Sequence, residues 1–192
     1  LIEHYFSSDS KIEEAEGKYE RAYRLLVDGM RKSGLSPVIY PDANSTLRLT
    51  YGKVSSLPKD PRNDAKENYY TTLKGTVKKF VKDDPEFDLP QGLIDLYDAK
   101  DFGQYADDDG YMPVNFLTNN DITGGNSGSP VLNGNGELIG LAFDGNIEAM
   151  AGDVIFDDKL QKTINVDIRY VLFLIDKYAG AKHIVDEMTV IK

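Results

Sequence analysis

Short apolar segments separated by turn residues occupy residues 113–167 and constrain the fold of this chain more than any other feature. They read VNFLTN, PVLN, ELIGLAFD and TINVDI. Between the second and third segments lie Asn133-Gly134 and Asn135-Gly136. Asn-Gly pairs favour β-hairpin turns because both residues tolerate positive φ. Several short strands with such turns between them indicate an antiparallel barrel or sandwich.

Helical patterns flank this β-rich region. Residues 10–32 carry apolar side chains at three- and four-residue steps, and Ser10 with Glu13 matches a capping box. A short helix is predicted within residues 90–103, and a last helix within residues 169–179. The predicted fold class is therefore α+β, mainly β with helices.

The region between the first helix and the β-rich part is predicted to begin with a strand. In STLRLTYGKV, residues 45–54, the apolar side chains of Leu47, Leu49 and Tyr51 alternate with polar ones. Such alternation is typical of a half-buried strand. The sequence pattern changes from helical to strand-like at Pro41. We therefore predict a helical segment, residues 1–40, and a β-rich segment, residues 41–192.

Charge and composition exclude several classes of protein. The formal net charge of −10 argues against a general nucleic-acid binder and is compatible with attracting a cationic group such as a free amine. The absence of cysteine excludes disulfides and metal–thiolate sites. No apolar run approaches the ~18 residues of a membrane span, and no signal peptide is visible. The acidic run Asp107, Asp108 and Asp109 is interpreted as a solvated loop, because its spacing does not match an EF-hand.

The chemistry is concentrated in TGGNSGSPVLNGNGELIGLAFDGN, residues 123–146. Glycines on both sides of Ser127 allow the backbone to turn sharply and to aim its amides in one direction. The N–H groups of Gly125 and Ser127 are the two candidates to stabilise an oxyanion. A polar serine in a tight turn is the simpler interpretation of Gly-x-Ser-Gly alone. The whole segment, with its hairpin and apolar strand, is more specific.

The segment GNSGSPV resembles the nucleophile region of chymotrypsin-fold serine peptidases. Residues 115–146, together with TINVDIRYVLFLIDKYAGA, resemble the S46 family of bacterial dipeptidyl-peptidases, which remove dipeptides from free N-termini. That family combines a double β-barrel with an inserted α-helical domain. The resemblance implies that residues 41–192 form the C-terminal barrel with a terminal helix. Residues 1–40 would then form the edge of the helical domain.

The resemblance also implies roles for five residues. Ser127 matches the nucleophile, and Gly125 supplies an oxyanion-hole amide with it. Asp144 matches an aspartate that holds the α-ammonium of the substrate, although by itself it is an ordinary turn residue at a strand end. Gly145 matches the position where relatives preferring acidic P1 residues have arginine, so glycine implies an apolar or aromatic P1. Phe143 would line that pocket or belong to the core.

The general base is not evident in this chain. His4 precedes the first helix and His183 follows the last one, and neither has the expected position before the serine. Nothing in the spacing selects Asp121 or Asp167 as the triad aspartate. We therefore expect the chain to be the C-terminal part of a longer protease, with the histidine and aspartate upstream. The isolated chain should be inactive.

The resulting prediction is a serine-type dipeptidyl-peptidase segment that uses no metal and no organic cofactor. Its expected partners are peptides with a free N-terminus, the remaining part of the same protease and a second copy in a homodimer. The resemblance implies a periplasmic or secreted location. Two alternatives stay open: a glutamyl-type endopeptidase, which Gly145 disfavours, and a non-catalytic peptide-binding barrel, which the missing histidine favours.

Overall fold

The computed structural model describes residues 10–34, 45–58, 69–151 and 156–191. The chain divides into two compact units, Leu1–Asp42 and Ala43–Lys192. The first unit contains helix α1, Ser10–Ser33, as its periodicity predicts. Ion pairs one turn apart, such as Lys18 with Glu14 at 2.6 Å, support its exposed face. The side chain of Ser10, and with it the predicted capping box, lies outside the described residues.

The second unit is built on a five-stranded sheet with the order β1-β2-β5-β4-β3, in which all neighbouring strands are antiparallel. The strands are β1 Tyr70–Thr72, β2 Pro113–Thr118, β3 Pro130–Leu132, β4 Leu138–Gly145 and β5 Thr163–Asp167. With the helices, this sheet confirms the α+β class. Within the described residues β1 and β3 form the two edges, and the double barrel stays a prediction.

Short helices accompany the sheet. They are α2 Leu73–Lys78, α3 Gln91–Asp98, α4 Ile168–Phe173 and α5 Lys182–Asp186, with 3₁₀ turns at Gly103–Tyr105 and Ile147–Ala151. The helix predicted within residues 169–179 is α4 continued by a π-helical turn, Leu174–Tyr178. Asp167 caps α4 by accepting a hydrogen bond from the amide of Arg169.

The core of the second unit lies between the sheet and these helices. Phe173 is fully buried, with the ring of Phe102 edge-on at 6.0 Å and the ring of Tyr170 stacked at 6.2 Å. The buried apolar cluster comprises Leu73, Leu93, Phe102, Tyr105, Met112, Leu172, Phe173 and Val185. Since α4 and β5 are contiguous, this packing fixes one end of the central strand.

The strand predicted at residues 45–54 is wrong. These residues have no regular secondary structure apart from an isolated bridge between Val54 and Thr118. Leu47, Leu49 and Tyr51 are almost fully exposed, at 103, 87 and 86%. An alternating pattern stabilises a strand only where one face packs on a core and the backbone pairs with a neighbour. In the second unit as described, residues 45–52 belong to no strand and the side chains of Leu47, Leu49 and Tyr51 do not pack on the core.

No helix in the described ranges is long and apolar enough to cross a membrane.

Candidate active site

The loop that carries Ser127 connects β2 to β3 and is closed by Asn126. The side-chain Oδ1 of Asn126 accepts a hydrogen bond from the amide of Thr123 at 3.0 Å, and its own amide donates to the carbonyl of Thr123 at 3.1 Å. The amide of Ser129 in turn donates to the carbonyl of Asn126 at 2.9 Å. These bonds fold residues 123–129 into a compact turn with Ser127 at its exposed side.

Pairing with β4 continues back into this loop. The amide of Gly128 donates to the carbonyl of Ala142 at 2.7 Å, and the amide of Ala142 donates to the carbonyl of Ser129 at 2.9 Å. The β3–β4 ladder therefore holds the residues that directly follow Ser127. A rigid strand pair thus supports the residue proposed as the nucleophile.

Three backbone amides of residues 123–129, those of Gly124, Gly125 and Ser127, have no acceptor in the described part of the chain. Within the described part of the chain, the N–H groups of Gly125 and Ser127 donate no hydrogen bond, whereas the amide of Asn126 between them is paired. Gly125 has φ +99° and Gly128 has φ +81°, a region that favours glycine. Two unpaired amides that are separated by one residue and lie beside an exposed hydroxyl are what an oxyanion hole requires.

The hydroxyl of Ser127 donates to the carbonyl of Phe143 at 3.3 Å. Phe143 lies at a β-bulge: Ala142 pairs with Asn165 and Asp144 with Ile164, so the β4–β5 register shifts around it. Bulges redirect side chains and are frequent beside active sites. The bulge brings the end of β4 close to the candidate nucleophile.

Asp144 and Gly145 follow the bulge at the end of β4. The carboxylate of Asp144 is exposed and accepts a hydrogen bond from the amide of Gly145 at 2.8 Å. Gly145 is opposite Thr163 of β5, and a Cβ added at Gly145 would lie only 2.8 Å from the Cβ of Ala149. Four of the predicted site residues, Ser127, Phe143, Asp144 and Gly145, therefore lie at one end of the sheet.

Exposed apolar side chains surround this end of β4. Phe143, Ile147 and Met150 are exposed by 58, 77 and 84%. Residues 143–151 contain no lysine or arginine and contain two acids, Asp144 and Glu148. The surface next to the predicted P1 position is therefore apolar and carries no positive charge on this segment.

A structural feature near the candidate site that sequence reasoning missed is the hydrogen bonding of the Asn146 side chain. Its Nδ2 donates to the carbonyl of Leu160 at 2.7 Å and to Glu148 at 2.6 Å, and its Oδ1 accepts from the amide of Lys162 at 2.7 Å. Its partners lie up to 16 residues away, so no local pattern predicts them. The only sequence signal is its position directly after the strand end.

No base for Ser127 is found in the described part of the chain. His183 lies on α5 without a hydrogen bond to the serine, and His4 lies outside the described residues. The carboxylate of Asp167 forms a bidentate ion pair with Arg169, at 2.9 and 2.8 Å, and this hydrogen bonding raises the pKa of Arg169. That carboxylate is already paired and does not orient a histidine.

The described residues contain no cluster of three or more His, Cys, Asp or Glu side chains that could hold a metal ion. In the acidic loop, Asp107 accepts from the amide of Tyr111 at 2.7 Å, while Asp108 and Asp109 are exposed. The loop is a turn with solvated carboxylates, as its composition predicts.

Comparison with known proteins identifies the relatives of this chain. The family described as peptidase S46 matches residues 1–190. Dipeptidyl-peptidase 7 of Capnocytophaga gingivalis is 65% identical over 193 residues, which cover 100% of this chain and 27% of the relative. The Asp/Glu-specific dipeptidyl-peptidase of the same organism is 54% identical over 154 residues, which cover 80% of this chain and 21% of the relative.

This chain is also similar to a solved structure. The crystal structure of Porphyromonas endodontalis DPP11 in complex with substrate is similar with a TM-score of 0.72 and 46% identity, over 79% of this chain and 22% of that one. The chain therefore spans about a quarter of the length of the curated relatives it matches.

Proposed function

This chain belongs to the peptidase S46 family, and on that premise we propose that it carries the nucleophile, oxyanion hole and P1 wall of a serine dipeptidyl-peptidase. The observation that carries the proposal is the pair of unpaired amides, Gly125 and Ser127, beside the exposed hydroxyl of Ser127. Two relatives named dipeptidyl-peptidase 7 are 65 and 60% identical to this chain.

The reaction would be acyl transfer through Ser127. Its Oγ attacks the carbonyl carbon of the second residue of the substrate, and the amides of Gly125 and Ser127 stabilise the negative oxygen that forms. The peptide amine then leaves, and water hydrolyses the acyl-serine to release the dipeptide. The base that takes the hydroxyl proton would come from protein outside this chain, since the relatives are several times longer.

Asp144 is proposed to bind the N-terminal ammonium group. Its carboxylate is exposed at the strand end next to the Phe143 carbonyl that contacts Ser127. One oxygen already accepts from the amide of Gly145, which fixes the orientation of the carboxylate. A carboxylate held in this way forms a short charge-assisted hydrogen bond with an ammonium group. Recognition of the free amine would limit cleavage to dipeptide removal.

An apolar P1 residue is the specificity that the local residues support. Residues 143–151 carry two carboxylates and no cation, so an acidic P1 side chain would find no partner there. Lys162, which follows in the opposing segment, is 2% exposed and its ammonium donates to the carbonyl of Asp158. Exposed Phe143 and Ile147 instead offer apolar contact.

The names of several relatives favour an acidic P1 residue instead. Several are Asp/Glu-specific dipeptidyl-peptidases, including one 54% identical to this chain. Identity favours dipeptidyl-peptidase 7 in Capnocytophaga gingivalis, with 65 against 54%, but the two enzymes of Porphyromonas gingivalis are both 46% identical to this chain. The charge of the segment around Gly145 is therefore the feature to test.

The test uses the full-length protein and three dipeptide reporters: one with leucine at P1, its N-acetylated twin and one with aspartate at P1. We expect turnover of the free-amine leucine reporter only. Ser127→Ala should abolish it, whereas Ser129→Ala, two residues away in the same loop, should retain it. Asp144→Asn should lower kcat/KM for the free-amine reporter by roughly 10- to 100-fold, as expected for the loss of a charged hydrogen-bond partner.

Each contrary result points to a different function. Equal cleavage of the acetylated twin would exclude amine recognition and favour an endopeptidase. Preference for aspartate would refute the apolar P1. Absence of any turnover would favour a peptide-binding module.

Assembly and location are further proposals that rest on family resemblance. We propose that the full-length protein is a homodimer acting in the periplasm or outside the cell. Light scattering of the purified protein and fractionation of the source cells would test the two points separately.

A further inference from the structure

Gly145 is restricted by the space around it and not by its backbone conformation. A Cβ at this position would lie 2.8 Å from the Cβ of Ala149, closer than real Cβ contacts. The φ angle of Gly145 is not in the left-handed region, so an L-residue would be strained only by this neighbour. Any side chain at residue 145 therefore requires that Ala149 moves.

The contact also shows where Ala149 lies. Its methyl group occupies the space into which a side chain at residue 145 would project. If residue 145 lines the P1 pocket, as proposed above, Ala149 borders the same space. We infer that Ala149 is a second specificity-determining residue, whose size sets the depth of the P1 pocket. The inference rests on the proposed function.

The 3₁₀ turn that carries Ala149 is fixed by Asn146. The amide of Ala149 donates to the carbonyl of Asn146 at 2.9 Å. The side chain of Asn146 binds Leu160 and Lys162 of the segment before β5, and its backbone amide donates to the carbonyl of Lys162 at 3.0 Å. Asn146 is therefore a positioning residue for the turn.

Gln161 provides a second attachment from the same segment. Its Nε2 donates to the carbonyl of Glu148 at 3.3 Å, and its Oε1 accepts from the amide of Asp157 at 3.2 Å. Gln161 is 3% exposed, so water does not readily replace these bonds. The turn cannot move away from Gly145 without breaking several hydrogen bonds, of which those of Lys162 and Gln161 are partly buried.

Because the turn is held in place, the size of the side chain at residue 149 should determine which P1 side chains fit the pocket. Ala149→Gly should enlarge the pocket and favour a large P1 side chain. Ala149→Val should fill it and disfavour one. Differences of one or two methyl groups in such pockets change kcat/KM by roughly 10-fold or more.

The experiment measures kcat/KM of the full-length protein for free-amine dipeptide reporters with alanine, leucine or phenylalanine at P1. We expect the Phe/Ala preference to rise in Ala149→Gly and to fall roughly 10-fold in Ala149→Val. Ala99→Gly and Ala99→Val are matched controls, because Ala99 is an exposed alanine at the C-cap of α3. They should leave the preference unchanged.

The role of Asn146 is tested by coupling. In an Asn146→Ala background the turn is free to shift, so Ala149→Val should reduce the Phe/Ala preference much less than it does in the wild type. Labelling of Ser127 by a fluorophosphonate checks that the nucleophile is intact in every variant. If Ala149→Val does not fold, Ala149→Gly still decides the question.

Failure of the proposed function and failure of the inference about Ala149 give different results. If the wild type cleaves no free-amine reporter, the proposed function is wrong. If the wild type is active and both Ala149 variants keep its Phe/Ala preference within twofold, the function stands and the inference about Ala149 is overturned.

Discussion

Adjacent glycines in the Ser127 loop differ in what they require of the backbone. Gly125 has φ +99°, whereas the φ angle of Gly124 is outside the left-handed region. A Cβ added at either position would meet no atom within 4 Å. A methyl group therefore fits at both positions, but only at Gly125 does it oppose the backbone conformation of the loop.

This difference gives a matched pair of variants. Gly125→Ala should lower kcat of the full-length protein, because the strained residue relaxes and its amide leaves the oxyanion position. Loss of one such donor costs on the order of 10²–10³ in kcat. Gly124→Ala should stay within a few-fold of the wild type. Steady-state kinetics on the leucine reporter checks both, and equal effects would mean that the Gly125 amide has no special part.

At the residue scale, sequence reasoning reached the candidate site only where the chemistry is local. The glycines and the serine of residues 124–128 form one contiguous motif, and an unpaired amide at Gly125 follows from that pattern. The bonds of Asn146 and the approach of Ala149 to Gly145 depend on how β4 and β5 pair. Their roles in catalysis remain predictions that the kinetics must test.

Elements were predictable where the apolar pattern coincides with a buried face. The segments of β2, β4 and β5 were found within a few residues, and β5 alternates between buried and half-buried side chains as a core strand does. The segment 45–54 has the same alternation and is exposed. Periodicity reports which face is apolar, but not whether a partner strand pairs with it.

The packing of α4 on the sheet leads to a prediction about stability. Phe173→Ala removes a fully buried ring that contacts Phe102 and Tyr170. Such a change should lower the free energy of unfolding of this region by about 3–5 kcal/mol. Hydrogen-exchange mass spectrometry of the full-length protein would show faster exchange in residues 163–173. Phe87→Ala, at a residue 42% exposed, is the control and should have a much smaller effect.

Tyr105 joins two further elements and makes their stability dependent on pH. Its hydroxyl donates to Asp176 of the π-helical turn at 2.8 Å, and burial raises its pKa. A raised pKa in the folded state means that the stabilisation is complete below the unfolded value of about 10 and is lost as pH rises above it.

Thermal unfolding of the full-length protein between pH 8 and 11 would measure this effect. Tyr105→Phe should be less stable at pH 8 by roughly 1 kcal/mol, and its stability should fall less steeply above pH 10. Tyr178→Phe, at a residue 46% exposed, should follow the wild type. Identical slopes for all three proteins would contradict a contribution from Tyr105.

At the scale of the whole molecule, the proposed serine peptidase site is only partly present in the described residues. The candidate nucleophile, both candidate amides and the candidate amine-binding carboxylate lie at one end of the sheet, in one compact unit. The hydroxyl of Ser127 donates to the Phe143 carbonyl, which cannot remove its proton. Stabilisation of the oxyanion and activation of the nucleophile are therefore separate properties, and the described residues offer candidates only for the first.

This separation leads to a prediction for the protein in two forms. Fluorophosphonates react with a serine only when a base activates it. The full-length protein should therefore be labelled at Ser127, with no labelling of Ser127→Ala. The isolated 192-residue chain should not be labelled, even where circular dichroism shows it folded. Intact-mass spectrometry and peptide mapping would measure both forms. Labelling of Ser127 in the isolated, folded chain would place the base within it, and His4→Ala and His183→Ala would then identify which histidine acts.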